Sequence, residues 1–179
     1  VLNQNGSRNC TENQVIILKQ GVGVWNKRKG VALMKKDISK ITILENEFVT
    51  IWYYSDKKIV HHQFHKFLHG KVLREALSEG TKMLQKYGAH KWLSDDRKNM
   101  AIPKDDQEWA DANWFPQTKA AGWKYWAIVQ PESAIGQLNI KRLAQQRMEQ
   151  GVVTQFFSDP EEAMAWLGSQ PDNLSSAVK

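Results

Sequence analysis

The chain has 179 residues, 41% apolar and 25% charged, with a formal net charge of +6 and one cysteine. These values place it in the soluble globular class, long enough for one domain with a real core. Cys10 alone excludes an intramolecular disulfide framework, and no apolar run approaches the roughly 20 residues a transmembrane helix needs. No signal-peptide pattern opens the chain, so a cytoplasmic location is expected.

The basic surplus is uneven. Residues 1–41 hold eight Lys or Arg against Glu12 and Asp37, whereas residues 42–179 hold 17 basic and 17 acidic side chains. The folded part is therefore electrically balanced, and no nucleic-acid partner is expected. Residues 1–33 are polar, Gly-punctuated and basic, with only VIILK patterned as a short strand. Their expected status is a disordered extension, or an over-long gene prediction in which Val1 stands for a GTG codon. Lys29-Gly30-Val31 can be encoded by AAAGGAGTN, a ribosome-binding sequence upstream of Met34. Residues 34–179 then form one domain with its core at about 42–168.

From residue 42 the pattern predicts strands. Phe48 to Tyr54 is β-branched and aromatic, Ser55-Asp56-Lys57 turns, and Lys58 to about Lys66 returns. Leu73, Leu77, Leu84 and Tyr87 mark one face of a helix that Gly88 stops. HKWLSDD is a short strand. PKDDQEWADANWF starts a helix that Pro116 restarts or kinks, and WKYWAIVQ is a buried strand. The helix closed by Gly151 follows, then VVTQFF, then SDPEEAMAWL with Asp159 as cap and Glu162 completing a capping box. Strand–helix alternation after a hairpin predicts an α/β fold with a mixed sheet. Helices are expected near 70–87, 104–121, 132–150 and 160–168. Eight tryptophans are many for this length. An aromatic core is the plainer reading, a carbohydrate or lipid surface the other.

Four of five histidines crowd into IVHHQFHKFLHG. On a strand, His61 and His65 stand about 13 Å apart, too far to share a zinc ion. A helix would instead align His61, His65 and His69 as a weaker metal alternative. The strand is preferred, since the turn at Ser55–Lys57 pairs it with its predecessor, and no metal or cofactor is expected. His62 points to the opposite face, beside Val60 and Phe64.

The SDDR stretch is the stronger candidate. Ligands in open α/β sheets bind beyond the carboxyl ends of parallel strands, where the loops at 94–97, 130–133 and 158–159 should gather. Asp95, Asp96 and Arg97 could hold a divalent ion, act as acid and base, or pair with a cationic partner. They could equally form a solvated turn. The loop is too polar to bury unpaired, so it is expected to face water, a partner or a ligand. Trp109 and Trp114 supply an apolar wall nearby, or simply the core face of their helix.

The closing FFSDPEEAMAWL, with WKYWAIVQPESAIGQLNIKRL before it, resembles the SpoIIAA-like family. That group is related to STAS domains and compared with CRAL-TRIO lipid-binding domains. HHQFHKFLHG, KWLSDDR, DQEWADANWFP and GWKYWAIVQPE resemble a bacterial subgroup without assigned activity. The match covers roughly residues 40–168 and implies a STAS-like fold. STAS antagonists of anti-sigma factors use a phosphorylatable serine at a helix start. Here that segment is NMAIPKDDQEW, and no serine lies between Ser94 and Ser133.

The resemblance and the lack of G-x-S-x-G, P-loop or G-x-G-x-x-G motifs favour a non-enzymatic interaction or ligand-binding domain. Its partner would be a protein or a small apolar ligand, and a homodimer is compatible with the sequence. The alternatives are a metal-dependent hydrolase using Asp95, Asp96 and the histidines, and an apolar-ligand carrier. The tentative binding set is Asp95, Asp96, Arg97, Trp109 and Trp114.

Overall fold

The computed structural model of the protein describes the backbone of residues 14–18, 21–26 and 31–34, and all of residues 39–172. The chain divides between Ile38 and Ser39 into two units. In the first, β1 (Gln14–Leu18), β2 (Gly21–Asn26) and β3 (Val31–Met34) form an antiparallel sheet in that order. β1 contains the strand expected in VIILK. Cys10 and the other residues of 1–13 lie outside the described residues.

The second unit is a six-stranded mixed sheet. Its strands are β4 (Lys40–Glu45), β5 (Val49–Tyr54), β6 (Ile59–Phe64), β7 (Lys91–Asp95), β8 (Tyr125–Val129) and β9 (Val153–Phe157). They lie side by side in chain order. β4, β5 and β6 pair antiparallel, and β6 to β9 pair parallel. The expected α/β class and the parallel pairing at 91–94, 124–129 and 152–157 are therefore observed.

Chain-order strands have a geometric consequence. Each parallel connection steps the same way, so crossovers of one hand deliver their helices to one face. α1 (Gly70–Tyr87), α3 (Phe115–Ala120) and α4 (Ala134–Glu149) contribute Leu73, Leu77, Phe115, Ile140 and Leu143 to one core, against which α2 (Lys104–Trp109) packs the half-buried Trp109. Period-two alternation brings Val60, Phe64, Trp92, Trp126 and Ile128 of the sheet into that same core. α5 (Pro160–Ser169) packs Ala163 and Leu167 on the other face, against Ile59, Leu93, Ala127 and Phe157. Asp159 caps α5 by accepting from the N–H groups of Glu161 and Glu162. Among the described residues Glu162 returns no side-chain bond, so only half of the expected capping box forms. Beyond α5, Asp172 Oδ1 meets the ammonium of fully buried Lys91 at 2.5 Å.

The long segment 104–120 carries a feature that periodicity alone does not reveal. Between α2 and α3 lies a π-helical turn, Ala110–Trp114, in which the Phe115 N–H bonds the carbonyl of Ala110. Pro116 is the physical reason for it. A proline in an α-helix lacks the N–H for residue i−4, and its ring collides with that carbonyl. Widening the turn lets the chain run through Pro116 without breaking. The expected kink is thus a π turn.

Trp92 is 1% exposed and brings the outer edge of its six-membered ring against α1 where a side chain is missing. A Cβ placed on Gly80 would sit 2.2 Å from Trp92 Cη2. A methyl group there would force the buried indole out of its place. Gly80→Ala is expected to destabilise the fold by about 1–3 kcal/mol, read from urea unfolding. An unchanged midpoint would show that the indole can shift.

Candidate ligand-binding cavity

Two neighbouring strands set up the site through their register. His62 of β6 and Ser94 of β7 are direct partners in the parallel ladder, as are Val60 and Trp92. All four side chains point toward the helices, because their positions share one parity. His62 stacks on Phe64, with ring centroids 4.2 Å apart. Trp92 donates its indole N–H to His62 Nδ1 at 2.9 Å, and His62 Nε2 lies 3.3 Å from Asp96 Oδ1.

An indole nitrogen only donates, so His62 Nδ1 must be the bare nitrogen. The proton is therefore on Nε2, which donates to Asp96. A doubly protonated ring would set donor against donor at Trp92. The contact between His62 and Asp96 is thus a hydrogen bond from a neutral imidazole and not a pair of full charges.

These residues line a cavity of about 60 Å³ between the sheet and the helices. That is room for about four to six water-sized groups. Trp92, Trp114, Trp123 and Trp126 form much of its wall, with Leu73, Leu77, Ile140 and Leu143 from α1 and α4. Ile102, Gln107, Ala110 and Trp114 are its half-buried members and mark the mouth, beside α2 and the π turn. Ala110 and Trp114 both come from that turn, and π segments recur at functional sites.

The polar lining is mostly spoken for. Asp106 accepts from the Gly70 N–H at 2.6 Å and from Arg74 Nε at 2.8 Å, so it caps α1 from outside. Arg147 is paired with Asp111 and lies 4.3 Å from the Phe115 ring centroid. Ser94 Oγ accepts from Trp126 Nε1 at 2.8 Å.

The expected binding set divides. Asp96 and Trp114 line the cavity, whereas Asp95, Arg97 and Trp109 do not. Asp95 is the last residue of β7, and its parity turns it to the α5 face. There Arg97 grips it through two bonds, Nε–Oδ1 at 2.8 Å and Nη2–Oδ2 at 2.7 Å. That fork holds the Arg97 guanidinium above its ordinary range. Trp109 lies under Arg74, 5.4 Å from its guanidinium carbon. The loops do gather as expected, since Arg97 O accepts from Glu132 N and Lys98 pairs with Glu132. One expectation is corrected. Asp95 and Asp96 are 2% and 4% exposed and so do not face water. A bidentate partner satisfies the first, and the neutral His62 meets the second.

The histidines scatter as strand geometry requires. His61 lies on the α5 side of β6, His65 lies past its end and bonds Thr50 Oγ1, and His69 precedes α1. Among the described residues no group of three His, Cys, Asp or Glu is placed to hold a metal ion. His62, Ser94, Trp123 and Trp126 were not among the expected site residues. The parity of His62 was readable, but its partner Ser94 needed the β6–β7 register.

His61 itself is an anomaly. It is buried beside Trp52, at 4.9 Å between centroids, and neither ring nitrogen has a hydrogen-bond partner. Burial, then the neighbouring His62, push its pKa from 6.5 down to about 3, against the pull of Asp95. An unfolded histidine takes up a proton near pH 6.5, which the native ring refuses until about 3. Stability is therefore full above pH 6.5 and falls as the pH drops through that window. His61→Leu is expected to flatten the slope, removing up to about 2 kcal/mol of the loss between pH 7 and 5. Urea unfolding at the two pH values checks this, and parallel slopes would contradict it.

Compared with protein-family models, curated proteins and solved structures, the chain shows no match.

Proposed function

We propose that this chain is a non-enzymatic, cytoplasmic ligand-binding domain of the SpoIIAA-like, STAS-related type. It takes a small, largely carbon-built molecule, or one end of a longer one, into the tryptophan-walled cavity. The observation that carries this reading is the state of the four indoles. Trp92 donates to His62, Trp126 to Ser94, Trp114 to the Leu77 carbonyl and Trp123 to the Tyr125 carbonyl. With every N–H committed to the protein, the walls offer only ring carbon, which suits an apolar guest.

Hydrolase chemistry finds less support. Ser94, His62 and Asp96 are residue types that could build an activated nucleophile. Yet both nitrogens of His62 are occupied, by Trp92 and Asp96, so the ring cannot take a proton from Ser94. Asp95 and Asp96 lie on opposite sides of the strand end and do not converge as a metal-binding pair would.

Native mass spectrometry of the purified full chain tests for a co-purifying ligand. Titration with n-butanol, followed by tryptophan fluorescence, tests the cavity directly. A saturable change is expected in the native chain and its loss in Ala110→Leu, which fills the mouth. That variant should keep or raise its melting temperature, since filling a void restores packing contacts. An identical titration in the variant would place any binding elsewhere.

A further inference from the structure

Charge accounting around the cavity leaves one group uncompensated. Asp106 is balanced by Arg74, and Arg147 by Asp111. His62 is held neutral by the Trp92 N–H. Asp96 remains, with a side chain 5% exposed and a single hydrogen bond from a neutral donor at 3.3 Å. Among the described residues its Oδ2 accepts no hydrogen bond. A carboxylate has about four acceptor positions, so Asp96 keeps acceptor capacity for a further donor. Arg97, the next residue, could have neutralised it but spends its fork on Asp95.

We infer that the cavity takes a small organic cation, an alkylammonium group seated between the Asp96 carboxylate and the faces of the surrounding tryptophans. This rests on the reading of the cavity as the ligand site. Two features converge on that chemistry. A buried carboxylate favours positive charge, and it accepts any N–H the guest carries. Indole rings carry electron-rich faces, which attract ammonium groups and also pack against methyl carbon. An anion would meet the carboxylate and find the indole donors already committed. A neutral apolar guest would leave Asp96 as unpaired as before. The size agrees as well, since four to five heavy atoms of a methylated ammonium match a space of about four to six water-sized groups.

The full-length protein is titrated with trimethylammonium, tetramethylammonium, their neutral counterpart tert-butanol, and acetate. Tryptophan fluorescence and calorimetry are the readouts. At least one ammonium should bind about tenfold or more tighter than tert-butanol, and acetate should not bind. Asp96→Asn keeps an acceptor for the His62 N–H and nearly the same shape. It should abolish the ammonium preference, so that the ammonium ions and tert-butanol bind alike. If tert-butanol binds as well as both ammonium ions, the cation inference falls and the ligand-cavity reading stands. If no probe binds, both fall. An ammonium preference that survives in Asp96→Asn overturns the role of the carboxylate. Should Asp96→Asn fail to fold, Trp114→Leu serves instead, and retention of full ammonium affinity there would overturn the aromatic half of the proposal.

Discussion

The hydrogen bond from Trp92 to His62 organises this domain because each partner is fixed independently before they meet. Gly80 leaves α1 bare at the point where the outer edge of the indole lies, so Trp92 fits there without a side chain in its way. The parallel ladder then sets His62 diagonally across from it, within 2.9 Å of its nitrogen. Once the indole donates, the imidazole has no freedom of tautomer or of ring flip. A flipped ring would turn carbon toward the N–H and leave a buried donor unmatched, at a cost of about 1–3 kcal/mol. What the cavity shows to a guest, a neutral imidazole edge and a sparsely bonded carboxylate, follows from that one contact.

The sheet's two faces handle charge differently, and the winding of the chain explains why. Strands laid down in sequence order place α1 to α4 together, leaving α5 to cover the opposite face. On the α5 side the buried charges find opposite charges: Lys91 with Asp172, and Asp95 with Arg97. Those partners come from the strand ends and from the segment after α5, where the chain reaches water. The helix side is deeper. Its charged groups must be satisfied by what the helices carry, as Asp106 is by Arg74 and by the start of α1. Asp96 lies just past the strand, at the seam of these two regimes, and neither supplies it with a cation.

Much of the fold was legible because it depends on local periodicity. The alternation in β5 and β6, the apolar face of α1 and the Asp159 cap all speak within a window of a few residues. The gathering of loops at the strand ends was legible too, since it follows from parallel topology. What escaped was pairwise. Asp95 and Asp96 are adjacent in sequence and read as one acidic unit, but the end of the strand sends them to different sides. His62 looked like an ordinary core residue, and Ser94 like the first letter of a loop, until the ladder made them neighbours. The burial of the SDDR loop escaped for a related reason. Its polar cost was counted correctly, but the Arg97 fork that offsets it is a tertiary detail. The π turn escaped because a periodicity of 3.6 cannot register one inserted residue.

The distinction between a binding site and a catalytic one turns here on donors and acceptors rather than on residue types. Serine, histidine and aspartate lie on adjoining backbone positions and face one space. For Ser94 to be activated, His62 would have to bare a nitrogen toward it and hold its other proton toward Asp96. The first condition requires the ring to release Trp92 Nε1, which is buried and has no alternative acceptor within the described contacts. Ser94 Oγ accepts from Trp126, which leaves its own proton without a base to take it. Two tryptophans thus hold the serine and the histidine in their resting roles.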